Sequence, residues 1–191
     1  MSRLQPVDPS IATDKKKALL DAVKSKLGKV PNMTRVMAVS PVVLEAYLGF
    51  SGALASGSLD VRTREKLALL TAQENHCDYC LSAHTAIGKM VGLNHDEIVA
   101  SRAGNGTNPK TTAALVFAKR VLDTKGGISE ADLTTVRSAG LSEEEIAQII
   151  AHVALNVFTN YFNITADVDI DFPKVSHKEI AGLTRNTGST S

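Results

Sequence analysis

The stretch from Ser142 to about Ile164 constrains the whole chain. Ser142, followed three residues on by Glu145, is a capping-box signature that opens a helix. Along that helix Ile146, Ile149, Ile150, Val153, Val157 and Tyr161 fill one side, and Ala151, Leu155, Phe158 and Phe162 fill another. A helix apolar over so much of its surface needs neighbours to cover it. A narrow polar stripe, His152, Asn156, Thr159, Asn160 and Asn163, runs between the apolar sides. Two readings of it stay open. Either it faces solvent, or a central helix turns its amides towards a polar cavity or a subunit interface, where they are hydrogen-bonded.

The neighbours are helices too. Aromatic residues make up only 4% of the chain and tryptophan is absent, while alanine and leucine recur throughout, which favours interlocked helices over a sandwich or barrel. Cap and stop signals place a helix from Thr13 or Asp14 to Gly28, a short one from Met33 to Val39, and one from Pro41 to about Ser56. Leu44, Tyr47, Leu48, Ser51 and Leu54 form the core face of the third. Further helices run from Asp60 or Thr63 to about Asn75, from about Cys77 to Val91, and from Asn94 (boxed with Glu97) to about Ala103. Two more follow, from Pro109 to Lys125 and from Ser129 to near Gly140. The fold class expected is all-α, in one domain over residues 1–191, with an N-terminal arm over 1–12 and an extended tail over 173–191 that is disordered from Arg185. A faint echo at an offset of 79 lays Leu59–His84 over Ser138–Asn163, as helical hairpins duplicated about a pseudo-twofold axis would.

Charge narrows the function. With 21 basic and 20 acidic residues, no electrostatic footprint of nucleic acid or anionic membrane is present. No apolar run reaches the 18 or so residues of a membrane helix, and Met1 to Ser10 lack a signal-peptide core, so the expected location is the cytoplasm. In that reducing compartment the only two cysteines, Cys77 and Cys80, are more often catalytic or metal-binding than a structural bridge. On a helix Cys77, Cys80 and His84 fall at i, i+3 and i+7 and share one stripe. Two thiols that close can form a disulfide with little movement of the chain.

The run Arg64-Glu65, then Asn75-His76-Cys77-Asp78-Tyr79-Cys80, then Ala83-His84, resembles the alkylhydroperoxidase D and carboxymuconolactone decarboxylase-like superfamily. The pattern there is a glutamate twelve residues before Cys-x-x-Cys and a histidine four residues after the second cysteine. Glu65, Cys77, Cys80 and His84 meet all three spacings. The run Ala154 to Asn163 is also similar to the matching helix of peroxidase-related members. The resemblance implies an all-helical bundle assembling as trimers or hexamers, and a thiol peroxidase that reduces hydroperoxides and is reset by an external dithiol, such as a lipoyl-bearing adaptor or a thioredoxin-like protein. In one respect the chain departs from the pattern: Tyr79 stands where well-known members carry a second histidine, and His76 instead precedes the first cysteine. A phenol titrates near pH 10 and does not replace imidazole as a proton carrier near neutrality.

The expected chemistry has the Cys80 thiolate attack the peroxide, Cys77 condense with the resulting sulfenic acid, and Glu65 and His84 relay the proton. Cys77, nearer a helix N-terminus, is the competing attacker. Tyr79, His76, Asn156 and Asn160 are surrounding candidates, while His76 and His152 on their own are read as structural or peripheral. No cofactor and no metal is expected. The alternatives are a general thiol-disulfide oxidoreductase with weak peroxidase activity, a zinc site built from Cys77, Cys80, His84 and Glu65 or His76, a carboxymuconolactone decarboxylase-like lyase, and a helical oligomer that binds a small molecule with spectator cysteines.

Overall fold

Helix starts lie where the side-chain caps are. In the computed structural model, which describes residues 2–179, Asp60, Asn94, Asn108, Ser129 and Ser142 each accept the backbone N–H of the residue three positions on, inside the following helix. The described residues form α1 (Asp14–Leu27), α2 (Asn32–Met37), α3 (Pro41–Ala55), α4 (Val61–Glu74), α5 (Asp78–Met90), α6 (His95–Arg102), α7 (Pro109–Asp123), α8 (Glu130–Ser138) and α9 (Glu143–Ala166), with no strand among them. The architecture is all-α, as expected. The tail expected to be disordered from Arg185 lies outside the described residues.

At the centre stands α4, packed against α5, α6, α7 and α9. Its residues from Lys66 to Ala72 are all buried, so it is enclosed on every side rather than amphipathic. Leu67 and Leu70 join Leu115, Phe117, Ile146, Ile149 and Val153 in one core, while Leu69 and Ala72 join Cys77, Cys80, Leu81 and Ile98 in the next. Each fully buried Leu or Ile contributes roughly 1.5–3 kcal/mol, which makes α4 the element that holds the bundle together. The buried Lys66 is neutralised by Glu97 of α6 at 3.2 Å and also donates to Thr107.

The face expected on α3 is the one turned inward: Leu44 is fully buried, Tyr47 and Leu48 pack beside it against the same core, and Ser51 and Leu54 are half-buried, while Val42 and Phe50, which lie off that face, stand exposed. On α9 Ile146, Ile149, Val153 and Leu155 are buried as expected while Ile150, Phe158, Tyr161 and Ile164 are exposed, and of the two readings of the polar stripe the inward one holds, since His152, Asn156, Thr159, Asn160 and Asn163 are all buried. The stripe faces the α4–α5 side because α9 packs there. The echo at an offset of 79 pairs the broken α4–α5 segment with one unbroken helix, α9, and not with a second hairpin.

Candidate redox site

The sulfurs are placed by the turn between α4 and α5. His76 adopts φ 56, and the amides of His76 and Cys77 bond back to Gln73 and Ala72, a Schellman-type stop for α4. Cys77 therefore lies just outside α5, where its Sγ caps the helix by accepting the Cys80 N–H at 3.3 Å. The expected helix start at Cys77 moves one residue along, and Cys80 sits in the first turn, where unpaired amides favour a thiolate. Both cysteines are free and buried.

Electrostatics separate the two thiols. Burial pushes Cys80 up, but a hydrogen bond from Cys77, another from Asn163 and the charge of His84 outweigh it, so the thiol lies below its usual range. Cys77 moves the opposite way, because its S–H is engaged in a hydrogen bond to Cys80 and it is itself desolvated. Asn163 Nδ2 lies 3.2 Å from Cys80 Sγ. Asn160 adds a weaker pull on Cys80, and its carbonyl oxygen accepts from Asn75 Nδ2 at 2.9 Å.

Glu65 of α4 and His84 of α5 meet at 2.8 Å between Oε2 and Nδ1. Burial disfavours the imidazolium, but the charge of Glu65 and its hydrogen bond raise the His84 pKa nonetheless. Glu65 is thus turned inward to the histidine and away from bulk water. Tyr47 of α3 lies within the field of Cys80 and Glu65; burial first, then those two charges, push its phenol up to about 12.

A C-terminal segment closes this end of the bundle. Val175 N donates to Ser82 Oγ, His177 bonds Asp78 through Nδ1 at 2.7 Å and through its amide at 2.8 Å, and Arg102 donates to the carbonyl of Ser176. Three of the surrounding candidates belong to these ties or to α9 itself rather than to the sulfurs. Tyr79 donates its hydroxyl to Asp171 at 2.8 Å and accepts from Met33 N, with its ring edge-on to Phe172. His76 stacks on His177 at 4.6 Å. Asn156 bonds the carbonyl of His152 within α9. The structure thus brings together Cys77, Cys80, Glu65, His84 and Asn160, and adds Asn163 and Tyr47, which sequence reasoning left out. Asn163 lies one turn beyond Asn160 on the polar stripe, a signal present in the sequence; Tyr47 carries none. His152, taken as peripheral, is buried beside Arg64 and Glu65, and desolvation first, then the charge of Arg64, lower its pKa to about 4. Among the described residues no group of three or more His, Cys, Asp and Glu gathers as a metal cage, and no helix is long and apolar enough to cross a membrane.

Comparison with known proteins agrees with this geometry. The model of the carboxymuconolactone decarboxylase family matches residues 41–123, which contain α3 to α7 and the whole sulfur turn. An uncharacterized protein of Haemophilus influenzae is 44% identical over 45 residues, a match spanning 23% of this chain and 40% of that protein's length. A peroxidase-related protein of Ralstonia eutropha JMP134, described as an alkylhydroperoxidase AhpD core, superposes with a TM-score of 0.79 at 26% identity, over 89% of this chain and 92% of the other. A peroxidase-related protein of Silicibacter sp. TM1040 gives 0.77 at 22% identity over 94% and 95%. The debrominase Bmp8 bound to 2,3,4-tribromopyrrole shares the fold, with a TM-score of 0.74 at 19% identity over 90% and 92%.

Proposed function

From the membership of this chain in the AhpD and carboxymuconolactone decarboxylase-like superfamily, we infer that it is a thiol peroxidase that reduces hydroperoxides through a Cys77–Cys80 dithiol-disulfide cycle. The observation that carries the reading is geometric: Cys80 lies in the first turn of α5 with Asn163 Nδ2 3.2 Å from its Sγ, Cys77 Sγ caps that turn 3.3 Å from the Cys80 amide, and Glu65 meets His84 at 2.8 Å beside them, a set that favours the thiolate on Cys80.

In the first step the Cys80 thiolate attacks the terminal oxygen of R–O–O–H. The S–O bond forms, the O–O bond breaks, and the leaving alkoxide takes a proton from the His84 imidazolium, giving Cys80 sulfenic acid and an alcohol. Glu65 keeps that imidazolium charged through the contact at 2.8 Å. Cys77 then attacks the Cys80 sulfur; the S–S bond forms and water leaves. Both sulfurs belong to one helix start, with Cys77 Sγ already bonded to the Cys80 amide, so the condensation calls for little rearrangement. An external dithiol, a lipoyl group or a thioredoxin-like protein in this reading, exchanges with the disulfide and restores both thiols. The active form is a homo-oligomer, trimeric or hexameric; supporting this are Val42 at 69% exposure on α3 and Tyr161 at 58% on α9, amid the exposed Phe50, Phe158 and Ile164.

The test is peroxide consumption by the reduced protein, with sulfenic acid trapped and located in Cys77→Ser. Stoichiometric consumption of cumene hydroperoxide with the adduct on Cys80 is expected. No consumption, or an adduct that forms on Cys77 in the reciprocal Cys80→Ser variant while none forms on Cys80 in Cys77→Ser, overturns the assignment.

A further inference from the structure

Two amides beside Cys80 are each anchored at one end and left open at the other. Asn160 accepts from Asn75 through Oδ1 at 2.9 Å, and its Nδ2, the group through which it draws weakly on Cys80, is buried and makes no full hydrogen bond. Asn163 donates through Nδ2 to Cys80 Sγ at 3.2 Å and to Met33 Sδ at 3.2 Å, and its Oδ1 is likewise buried with no partner. Asn160 is 0% exposed and Asn163 is 3% exposed. An unsatisfied buried polar atom costs about 1–3 kcal/mol, so a donor and an acceptor orphaned next to one nucleophile imply an occupant that completes both.

A hydroperoxide has the complementary set: one O–H donor on its terminal oxygen and an acceptor in the neighbouring oxygen. We propose that Asn160 and Asn163 form the peroxide-binding clamp of this site, which rests on the peroxidase reading above. Asn163 Oδ1 accepts the terminal O–H and holds that oxygen against Cys80 Sγ, while its Nδ2 stabilises the thiolate. Asn160 Nδ2 donates to the inner oxygen, on which negative charge develops as the O–O bond breaks. The electron pair of the S–O bond comes from the thiolate, the O–O pair departs on the alkoxide, and His84 supplies its proton. The substrate class is a mono-substituted hydroperoxide or hydrogen peroxide; a dialkyl peroxide, lacking the O–H, leaves Asn163 Oδ1 unpaired and is discriminated against.

The experiment compares two rate constants of Cys80 at one pH, that for cumene hydroperoxide and that for iodoacetamide, in the full-length protein. Their ratio cancels the thiolate fraction, so it separates peroxide positioning from thiol activation. Asn160→Leu removes the donor, and Asn160→Asp preserves the shape and the acceptor for Asn75 in case the leucine variant does not fold. The ratio is expected to fall at least tenfold, as for loss of one donor to a developing oxyanion. A ratio within twofold of the unsubstituted protein in the folded variant overturns the clamp and leaves the peroxidase reading standing. An unsubstituted protein that is alkylated at Cys80 but consumes no hydroperoxide overturns both.

Discussion

Glu65 Oε2 lies 2.8 Å from His84 Nδ1, a contact between α4 and α5 that spans 19 residues of chain. It favours the charged form of a histidine inside the bundle, against the desolvation that opposes it. Glu65→Gln keeps a hydrogen-bonding shape but removes the charge. The His84 pKa then drops, and with it the supply of protons to the leaving alkoxide. Hydroperoxide turnover is expected to fall by about 10²-fold near neutrality, and the basic limb of its pH profile moves to lower pH. A profile whose basic limb does not move would remove Glu65 from the relay.

His152 offers a second pH signature. Its pKa in the fold is about 4, below the ordinary value of 6.5, so the unfolded chain binds a proton between those values that the folded chain does not. Stability therefore declines as pH falls through 6.5 and continues to decline until about 4. His84, with a raised pKa, acts in the other sense: its contribution is complete below 6.5 and is lost as pH rises through the folded value. Urea unfolding across this range should show a shallower acid decline in His152→Leu than in the unsubstituted protein. Parallel curves would contradict a neutral, desolvated His152.

The closing segment makes a prediction about access. Tyr79→Phe deletes the hydroxyl that donates to Asp171 at 2.8 Å and accepts from Met33 N at 3.1 Å. Loss of these bonds costs about 1–3 kcal/mol, and it loosens the cover over the sulfurs. The thiols should react several-fold faster with a bulky aromatic disulfide such as DTNB, with little change in the pH at which Cys80 ionises. An unchanged DTNB rate would mean that reagents reach the sulfurs by another path.

Lys66 is buried with its charge met by Glu97 at 3.2 Å. Glu97→Ala leaves that cation uncompensated and also breaks the capping box of α6. Destabilisation of about 3 kcal/mol or more is expected by chemical denaturation. Lys66→Met together with Glu97→Leu should recover the part due to the uncompensated cation, because a well-packed apolar pair replaces a buried ionic one at little cost, while the loss of the capping box remains. A double variant as unstable as the single one would refute this account.

The exposed apolar residues of α3 and α9 lead to an expectation of assembly. Sedimentation of the unsubstituted protein should give trimers or hexamers, and Tyr161→Glu, which places a charge at a site 58% exposed in the single chain, should shift it towards monomer. A monomer at micromolar concentration without any substitution would defeat the expectation.

Much of this protein is determined locally and can be read from the chain. The Ser142–Glu145 and Asn94–Glu97 boxes, the Asp60 cap and the Gly28 stop act over a few residues, so the helices form where their signals stand. The register of Cys77, Cys80 and His84, and the spacing of Glu65 before them, likewise need no tertiary knowledge. Other features depend on pairs of residues that only the packing brings together. Asn163 reaches Cys80 across 83 residues, and Asp171 reaches Tyr79 across 92. Helical periodicity shows that α9 has unlike faces, but not which of them turns inward. The tertiary structure buries the polar stripe of α9 against the sulfurs and leaves Phe158 and Tyr161 outside, because the interior at this point holds ionisable groups that amides can solvate and alkyl side chains cannot.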